Sequence, residues 1–280
     1  METQSASPLS LRRPAPGGLF PAVLRFPGHS LALAGDISDL EACLALERSR
    51  SAPAPASAEG IHSPQAVPYC DFLMLRGTQG MLVAVCRLMR LDAGNPIPNP
   101  LASGRFQLSP LLTALRYSRE GILEMGAPAF AAGCDEPKAA RLLWSGMAQY
   151  LGRNCLGFVI GRDALSAPVA APAPWPRLMA EHGLPPDLET EARPGFRAWP
   201  ATASGKPVPA TVEASEGIKA LGESPLRFWP AGLQEALLRG CRLACEPAFN
   251  PALACLEFVW VASRDMLEEP GAGDWRGSAA

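Results

Sequence analysis

Short runs of apolar residues recur along the chain at lengths typical of β-strands. Two of them, DFLMLRG (71–77) and MLVAVCRLMRL (81–91), meet at the short polar turn GTQG and predict a β-hairpin. Further apolar runs predict strands at 30–34, 121–126, 155–161 and 255–263.

Helical spacing of apolar positions appears between these strands. It predicts helices at 36–50, 109–118, 138–152 and 233–246, with a short helical piece at 177–183. Residues 92–107 and 127–137 are rich in Pro, Asn, Gly or other small residues and are predicted to be loops. The order of elements lacks the regular βαβ alternation of a doubly wound sheet. It predicts an α+β fold, with one central mixed α/β sheet and helices on its faces.

Composition fits a globular chain with a sizeable core. The 280 residues are 48% hydrophobic and 19% charged, and 30 prolines argue against long helices or a coiled coil. We expect disordered tails at 1–18 and 268–280. Between them we expect a single domain at 19–267, with a Pro/Ala-rich insert at about 166–225.

Charge and cysteine usage exclude several classes of function. A net charge of −2 argues against nucleic acid as the main partner. The eight cysteines form no CxxC pair and show no spacing relation to the three histidines, so no metal site is expected. They are expected to be small buried residues in a reducing compartment. There is no apolar signal segment at the start and no stretch of the roughly 18 apolar residues that a membrane span needs, so a cytoplasmic protein is expected.

Four segments between residues 105 and 161 carry a more specific pattern. RFQLSPLL, ILEMGAPAF, LLWSGMAQYLG and CLGFVIG, in that order, resemble bacterial ornithine-lipid N-acyltransferases, which belong to the GNAT-like superfamily. The spacing from Glu124 to Trp144 matches the family pattern without a gap. Weaker likeness at YCD (69–71), CRLMRL (86–91) and 237–261 extends the resemblance to about residues 30–165 and 230–267.

The resemblance implies a GNAT-like fold and an enzyme that transfers a (3-hydroxy)acyl chain to the amine of ornithine or a similar amino acid, in ornithine-lipid synthesis. The donor would be an acyl carrier protein thioester, or acyl-CoA, as co-substrate, with no bound cofactor. The implied partners are acyl carrier protein and the amino-acid acceptor. A membrane surface is a further candidate partner, with the protein in the cytoplasm or peripheral at the inner membrane.

Several polar positions of the family pattern are replaced in this chain. Where the family has G-R-x-C-x-H-P-x-x-R, residues 126–135 read GAPAFAAGCD, so the two arginines have become Ala127 and Asp135. The Cys and His of the pattern have become Ala129 and Ala131. These losses support an alternative, a catalytically inactive relative that binds acyl chains, carrier protein or an active paralogue. A further alternative is an enzyme like the acyl-homoserine-lactone synthases.

Three residues at matched positions are candidates for catalysis, namely Glu124, Asp71 and Arg87. Glu124 is the one carboxylate in an apolar predicted strand. It is either a base with a raised pKa or an ion-pair partner of Arg87 on the neighbouring strand. Asp71 has the same two interpretations, and it could also cap a turn.

Four further residues are candidates for binding the acyl or pantetheine group, namely Gly126, Gly133, Arg141 and Trp144. In the GNAT plan, a phosphate binds where a loop meets the N-terminus of the helix at 138–152. Asp135 and Glu136 would repel a phosphate there, or they simply cap the helix, in which case Arg141 could substitute as its partner. Trp144 either lines a groove or belongs to the core.

Overall fold

The computed structural model describes residues 20, 23–50, 64–91, 101–117, 120–166, 175–193, 231–250 and 255–268. The predicted tail at 1–18 lies outside these residues, as do most of the tail at 268–280 and much of the insert at 166–225.

One mixed sheet organises the described chain. Its main path contains β1 (Leu24–Phe26), β2 (His29–Leu33), β3 (Asp71–Gly77), β4 (Leu82–Arg90), β6 (Gly121–Met125), β8 (Leu156–Ser166), β12 (Cys255–Ser263) and β10 (Arg242–Leu243), in that spatial order. Two short strands extend it, since β7 (Ala129–Phe130) pairs with β4 and β11 (Ala248–Asn250) pairs with β12. A separate pair is formed by β5 (Phe106–Gln107) and β9 (Glu191–Ala192). Every neighbour pair in the main sheet is antiparallel except β6 and β8, which are parallel.

Helices cover both faces of this sheet. The helices are α1 (Ile37–Arg50), α2 (Ser109–Tyr117), α3 (Glu136–Arg153), α4 (Trp175–His182), α5 (Ala231–Leu238) and α6 (Arg264–Glu268), with 3₁₀ turns at Pro64–Tyr69 and Leu101–Gly104. The long helix α3 packs on β2, β3, β4 and β8, and α5 and α6 pack against α3. On the opposite face, α1 packs on β3, β4 and β7.

Two apolar clusters pack on the sheet. The larger cluster includes Leu73, Leu88 and Trp144 on the α3 side, and it also extends to Ile122 and Ile160, which share the face of Glu124. The smaller one lies between α1 and the β3–β4 hairpin and includes Cys43, Phe72 and Met89. The alternation of side chains along β3 and β4 explains this division, because consecutive residues point to opposite faces.

The predicted strands and the predicted mixed sheet are confirmed. The runs at 71–76, 81–91, 120–126, 155–161 and 255–262 share one sheet, and the helix predicted at 138–152 packs on it. An α+β architecture with helices on both faces of a mixed sheet is therefore established.

Three local predictions are wrong. The helix predicted at 233–246 ends at Leu238, since Gly240 adopts a φ of 89° and the chain turns into β10. Cys241 and Cys245 therefore do not share a helix face. The loop predicted at 127–137 contains β7, and α3 already begins at Glu136. The loop predicted at 92–107 contains a 3₁₀ turn and β5.

No helix among the described residues is both long and apolar enough to cross a bilayer.

Candidate functional site

The register of the sheet places Arg87 and Glu124 on the same face. Glu124 pairs across the strands with Met89, which lies two residues from Arg87 on β4. Residues two apart on a strand point the same way, and directly paired residues share a face. Both side chains therefore point towards the α1 side, and both are buried, with 4% and 2% of their surface exposed.

Arg87 is held by a carboxylate that the sequence analysis did not single out. Its Nε donates to both carboxylate oxygens of Glu47 on α1, at 2.8 and 3.0 Å, and its Nη2 donates to Oε2 at 2.5 Å. The guanidinium carbon also lies 5.2 Å from the ring centroid of Phe72. A forked contact of this kind fixes the orientation of a guanidinium as well as neutralising it.

Glu124 contacts the chain segment that covers this face. Its Oε1 accepts a hydrogen bond from the backbone N–H of Ala102, at 3.0 Å, in the 3₁₀ turn Leu101–Gly104. A hydrogen bond from a backbone donor favours the ionised form of a carboxylate, whereas burial disfavours it.

The charges of these groups converge near Cys70. Burial raises the pKa of the Cys70 thiol to about 12, with Arg87 acting to lower it and Glu124 and Glu47 acting to raise it. The Cys70 thiol, the Arg87–Glu47 pair and Glu124 thus form one buried polar cluster, which we call the Glu124 cluster.

Asp71 lies apart from this cluster. It pairs across the strands with Leu88 and so points to the α3 face, opposite to Glu124. Its Oδ2 accepts a hydrogen bond from the Tyr150 hydroxyl on α3 at 2.6 Å. The three candidate catalytic residues are therefore divided between two faces of the sheet, and Asp71 links β3 to α3.

A second buried cluster lies further along the same face as Glu124. Glu257 on β12 accepts from Arg105 Nη1 at 2.6 Å, from Arg162 Nη1 at 3.4 Å and from Asn250 Nδ2 at 2.8 Å. The Glu257 side chain is 4% exposed and that of Arg105 is 7% exposed. We call this group the Glu257 cluster.

The two clusters are connected by one short segment. Ala102, which donates to Glu124, also accepts through its carbonyl oxygen from the backbone N–H of Arg105 at 3.0 Å. The segment 101–107 therefore contacts a buried carboxylate near each of its ends.

The loop before α3 turns at Gly133. Gly133 has a φ of 76°, a conformation that favours glycine, and a Cβ built there would meet no atom within 4 Å. Asp135 caps the helix, since its Oδ1 accepts from the backbone N–H of Lys138 at 3.0 Å. The interpretation of Asp135 as a helix cap is thereby confirmed.

Arg141 and Gly126 occupy different environments. Arg141 is exposed one turn into α3, and Gly126 is buried at the end of β6. The Gly126 N–H donates to the carbonyl oxygen of Arg87 at 2.9 Å, so Gly126 continues the contact between the two inner strands.

Trp144 is fully buried. Its Nε1 donates to the carbonyl oxygen of Gly232 in the first turn of α5 at 3.2 Å. Its ring centroid lies 5.3 Å from that of Trp260 on β12. Of the two interpretations of Trp144, the core position is the one that the structure shows.

The sheet opens beyond the Glu124 cluster. The β6–β8 ladder ends at the pair Met125–Gly161, although β8 continues to Ser166 along β12. The next strand after β6, β7, pairs with β4 instead, through the pairs Ala84–Phe130 and Val85–Ala129. The parallel strands are thus separated from this point, and we call the gap between β7 and the end of β8 the opening.

The described part of the chain holds neither the donor set of a metal site nor a disulfide. No group of three or more His, Cys, Asp or Glu residues among the described residues could hold a metal ion. All eight cysteines are free, and six of them are buried.

Comparison with known proteins gives structural similarity but no sequence match. No family model matches the chain, and no curated protein matches it. Among solved structures, the chain is similar to FeeM, described as an N-acyl amino acid synthase from uncultured soil microbes. The TM-score is 0.45 and the sequence identity 9%, over 87% of this chain and 95% of that chain.

Proposed function

We propose that this protein is a GNAT-like N-acyltransferase that moves a (3-hydroxy)acyl chain from a carrier-protein thioester to the amine of ornithine or a similar amino acid. The observation that carries the proposal is the position of Glu124. It is a buried carboxylate at the motif position that resembles the family, and it is one residue before the end of the β6–β8 ladder.

The reaction requires a proton acceptor close to the amine nitrogen. An ammonium group must lose a proton before its nitrogen can attack the thioester carbonyl carbon. Glu124 takes that proton, and the new C–N bond forms as the tetrahedral oxyanion develops. The oxyanion then collapses with cleavage of the C–S bond, and the second proton that the acylated nitrogen loses is transferred to the departing pantetheine thiolate, which leaves as a thiol.

Arg87 has a positioning role in this scheme. It shares a face with Glu124, and its guanidinium is fixed by Glu47 at 2.5–3.0 Å. A guanidinium fixed in this way on the same face orients the polar groups around Glu124.

The donor would approach from the side of the loop before α3. Acyl carrier proteins are acidic, so their docking surface needs positive charge around the pantetheine entrance. Arg116, Arg141 and Arg153 are exposed on α2 and α3, whereas Arg119 lies outside the described residues. Arg141 is the nearest of these to the N-terminus of α3.

The test is an acyl-transfer assay with a panel of acyl carrier proteins and amino acids, ornithine first. Replacing Glu124→Gln should lower kcat by the roughly 10²–10⁴-fold typical of a general base. Glu41→Gln, an exposed position on α1, is the matched control and should retain full activity. An unchanged rate in Glu124→Gln would remove Glu124 from catalysis.

A second candidate function is an inactive relative that binds acylated carrier protein without transferring the chain. Asp135 favours it, because this carboxylate occupies the N-cap of α3 where the family pattern has an arginine. Surface plasmon resonance at low salt separates the two functions.

In this measurement, acylated carrier protein should bind, and Arg141→Glu should weaken binding several-fold. Arg48→Glu on the exposed side of α1 is the control. Binding without transfer in the wild type would favour the inactive relative. No binding at any salt concentration would contradict the carrier protein as donor.

A further inference from the structure

A groove on the outer side of α3 has no part in the proposed reaction. It has a volume of about 570 Å³ and lies where the second half of α3 meets the end of α5 and helix α6. A space of this size holds a large side chain together with a short piece of backbone. Its lining comes from one side of α3 and from the two neighbouring helix ends, and it includes Ser145, Ala148, Gly152, Arg153, Arg239 and Leu267.

The groove carries a positive charge at its Arg153 end. Arg239 is already paired, since its Nε donates to Glu235 Oε1 at 2.8 Å and its Nη1 donates to the carbonyl oxygen of Leu267 at 3.3 Å. Arg153, in contrast, is exposed and forms no ion pair with any residue of the described ranges. Helix α3 has no acidic residue after Glu136. A carboxylate is therefore attracted to the Arg153 end of the groove.

The chain leaves α6 at the rim of this groove. Helix α6 ends at Glu268, one residue after Leu267, which is 2% exposed and lines the groove. Residues 269–280, EPGAGDWRGSAA, follow and lie outside the described part of the chain. Their one large apolar side chain is Trp275, and the carboxylate of Asp274 directly precedes it. An aromatic ring and an anion, the two groups that fit the groove, thus occur side by side in this segment.

We infer that residues 269–280 dock in the groove, with the Trp275 ring on the small residues of α3 and the Asp274 carboxylate paired with Arg153. The segment is long enough for this contact. Six residues separate Glu268 from Trp275 and can span about 20 Å, at roughly 3.3 Å per residue. The side of α3 from Ser145 to Arg153 is only about 12 Å long, at roughly 1.5 Å per residue.

The docked segment fastens α6 and the end of α5 to α3, because the groove is formed by all three helices. Small residues on α3 allow a flat ring to approach the helix closely, and burial of the ring supplies most of the binding free energy. The ion pair determines the orientation more than the affinity, because exposed ion pairs contribute little. This inference does not depend on acyl transfer, so an inactive protein would show the same docking.

Photo-cross-linking in the full chain tests the docking. A benzophenone-bearing phenylalanine replaces Trp275, an equal mixture of unlabelled and heavy-isotope-labelled protein is illuminated, and mass spectrometry identifies the cross-linked peptides. We expect cross-links from position 275 to residues 145–153 within one chain. Arg153→Glu should lower their yield several-fold, and adding Asp274→Arg to it should restore the yield. Arg48→Glu, at an exposed arginine of α1, is the matched control and should leave the yield unchanged.

Hydrogen exchange of the full chain gives a second measurement that needs no cross-linker. Trp275→Ala should speed amide exchange several-fold at the end of α5 and in α6, because these helix ends open locally when the ring is lost. Trp275→Phe keeps an aromatic ring and should exchange at rates closer to those of the wild type. Exchange in α1 should not change in either variant.

Cross-links that join unlabelled to labelled chains would overturn the inference, because they would show that a second copy occupies the groove. Cross-links that fall only outside the groove would overturn it as well. Equal exchange rates in the wild type and Trp275→Ala would contradict the docking of the ring. A yield that Asp274→Arg does not restore in Arg153→Glu would contradict the pairing of Asp274 with Arg153.

Discussion

The six buried cysteines should make the stability of this protein fall steeply at alkaline pH. Burial raises the pKa of each of these thiols: to about 12 for Cys43 and Cys70, to about 11 for Cys245 and Cys255, and above the ordinary range for Cys86 and Cys241. The ordinary value for a thiol exposed by unfolding is 9.0. Between pH 9 and 11 the unfolded chain therefore binds fewer protons than the folded one, and the free energy of unfolding decreases as pH rises.

The size of the effect follows from the count of thiols. One proton difference lowers the free energy of unfolding by up to about 1.4 kcal/mol per pH unit. For the six buried thiols the loss reaches roughly 8 kcal/mol at pH 10, within the 5–15 kcal/mol that stabilises typical domains. This magnitude depends on the pKa of the unfolded thiol and not on how far burial raises the folded one. Below about pH 8 the loss should be negligible.

Urea unfolding in the presence of a reductant, followed by tryptophan fluorescence at several pH values from 7.5 to 10, measures this slope. Cys43→Ala should reduce it by one proton, because a buried thiol is removed. Cys155→Ala, which removes the exposed thiol, should leave it unchanged. A slope of one proton or less between pH 9 and 10 in the wild type would refute the reasoning.

Three other predictions concern single contacts. Glu47→Leu and Arg87→Met should each lower the free energy of unfolding by about 3–5 kcal/mol, since each breaks a buried ion pair. The double variant with both substitutions should cost less than the sum of the two, and additive costs in urea unfolding would contradict this. Asp135→Ala should lower the free energy of unfolding by about 1 kcal/mol, because the N-cap of α3 is lost. Asp135→Asn retains an acceptor and is the control. Equal stability of the two variants would argue against the cap. A thiol reagent at pH 8 should modify Cys155 first, because its thiol is exposed. If the fast phase of thiol modification persists in Cys155→Ala, another thiol is accessible.

Long apolar runs made the central sheet predictable. The hairpin at 71–91 and the strand at 255–263 are recognised because a buried strand needs little besides a run of apolar residues between turn signals. The same criterion missed β7, because its two residues, Ala129 and Phe130, are too short a run to show any periodicity.

The helix predicted at 233–246 shows where periodicity misleads. Apolar residues continue at helical spacing after Leu238, but Gly240 takes a positive φ and redirects the chain. Glycine at such a position is the common way to end a helix. Leu243 is therefore buried as a strand residue that pairs with Trp260 of β12, and not as part of an apolar helix face.

Sequence reasoning identified only some of the residues of the candidate site. Arg87 and Glu124 could be placed together because they lie on neighbouring strands at matched motif positions. Glu47, in contrast, is 40 residues away from Arg87 on a helix, and Arg105 is 152 residues from Glu257. Such contacts depend on the tertiary fold, and no spacing rule within one sequence reveals them. A charged residue on a helix face that is otherwise apolar, as at Glu47, was the one signal that could have pointed to a buried partner.

The distribution of buried charge between the two faces supports a functional role for the α1 side. On the α3 side, the carboxylates Asp71 and Asp163 accept hydrogen bonds from the aromatic side chains of Tyr150 and Trp260. On the α1 side, the Glu124 and Glu257 clusters place charged side chains on four neighbouring strands, β4, β6, β8 and β12. Removing such charges from water costs several kcal/mol per ion, and well-packed apolar residues would serve stability at least as well. Stability alone therefore does not account for a row of charged groups along one face of a sheet. The proposed reaction, which needs a buried carboxylate, is therefore placed on the α1 face, where Glu124 and Arg87 share one side of the sheet.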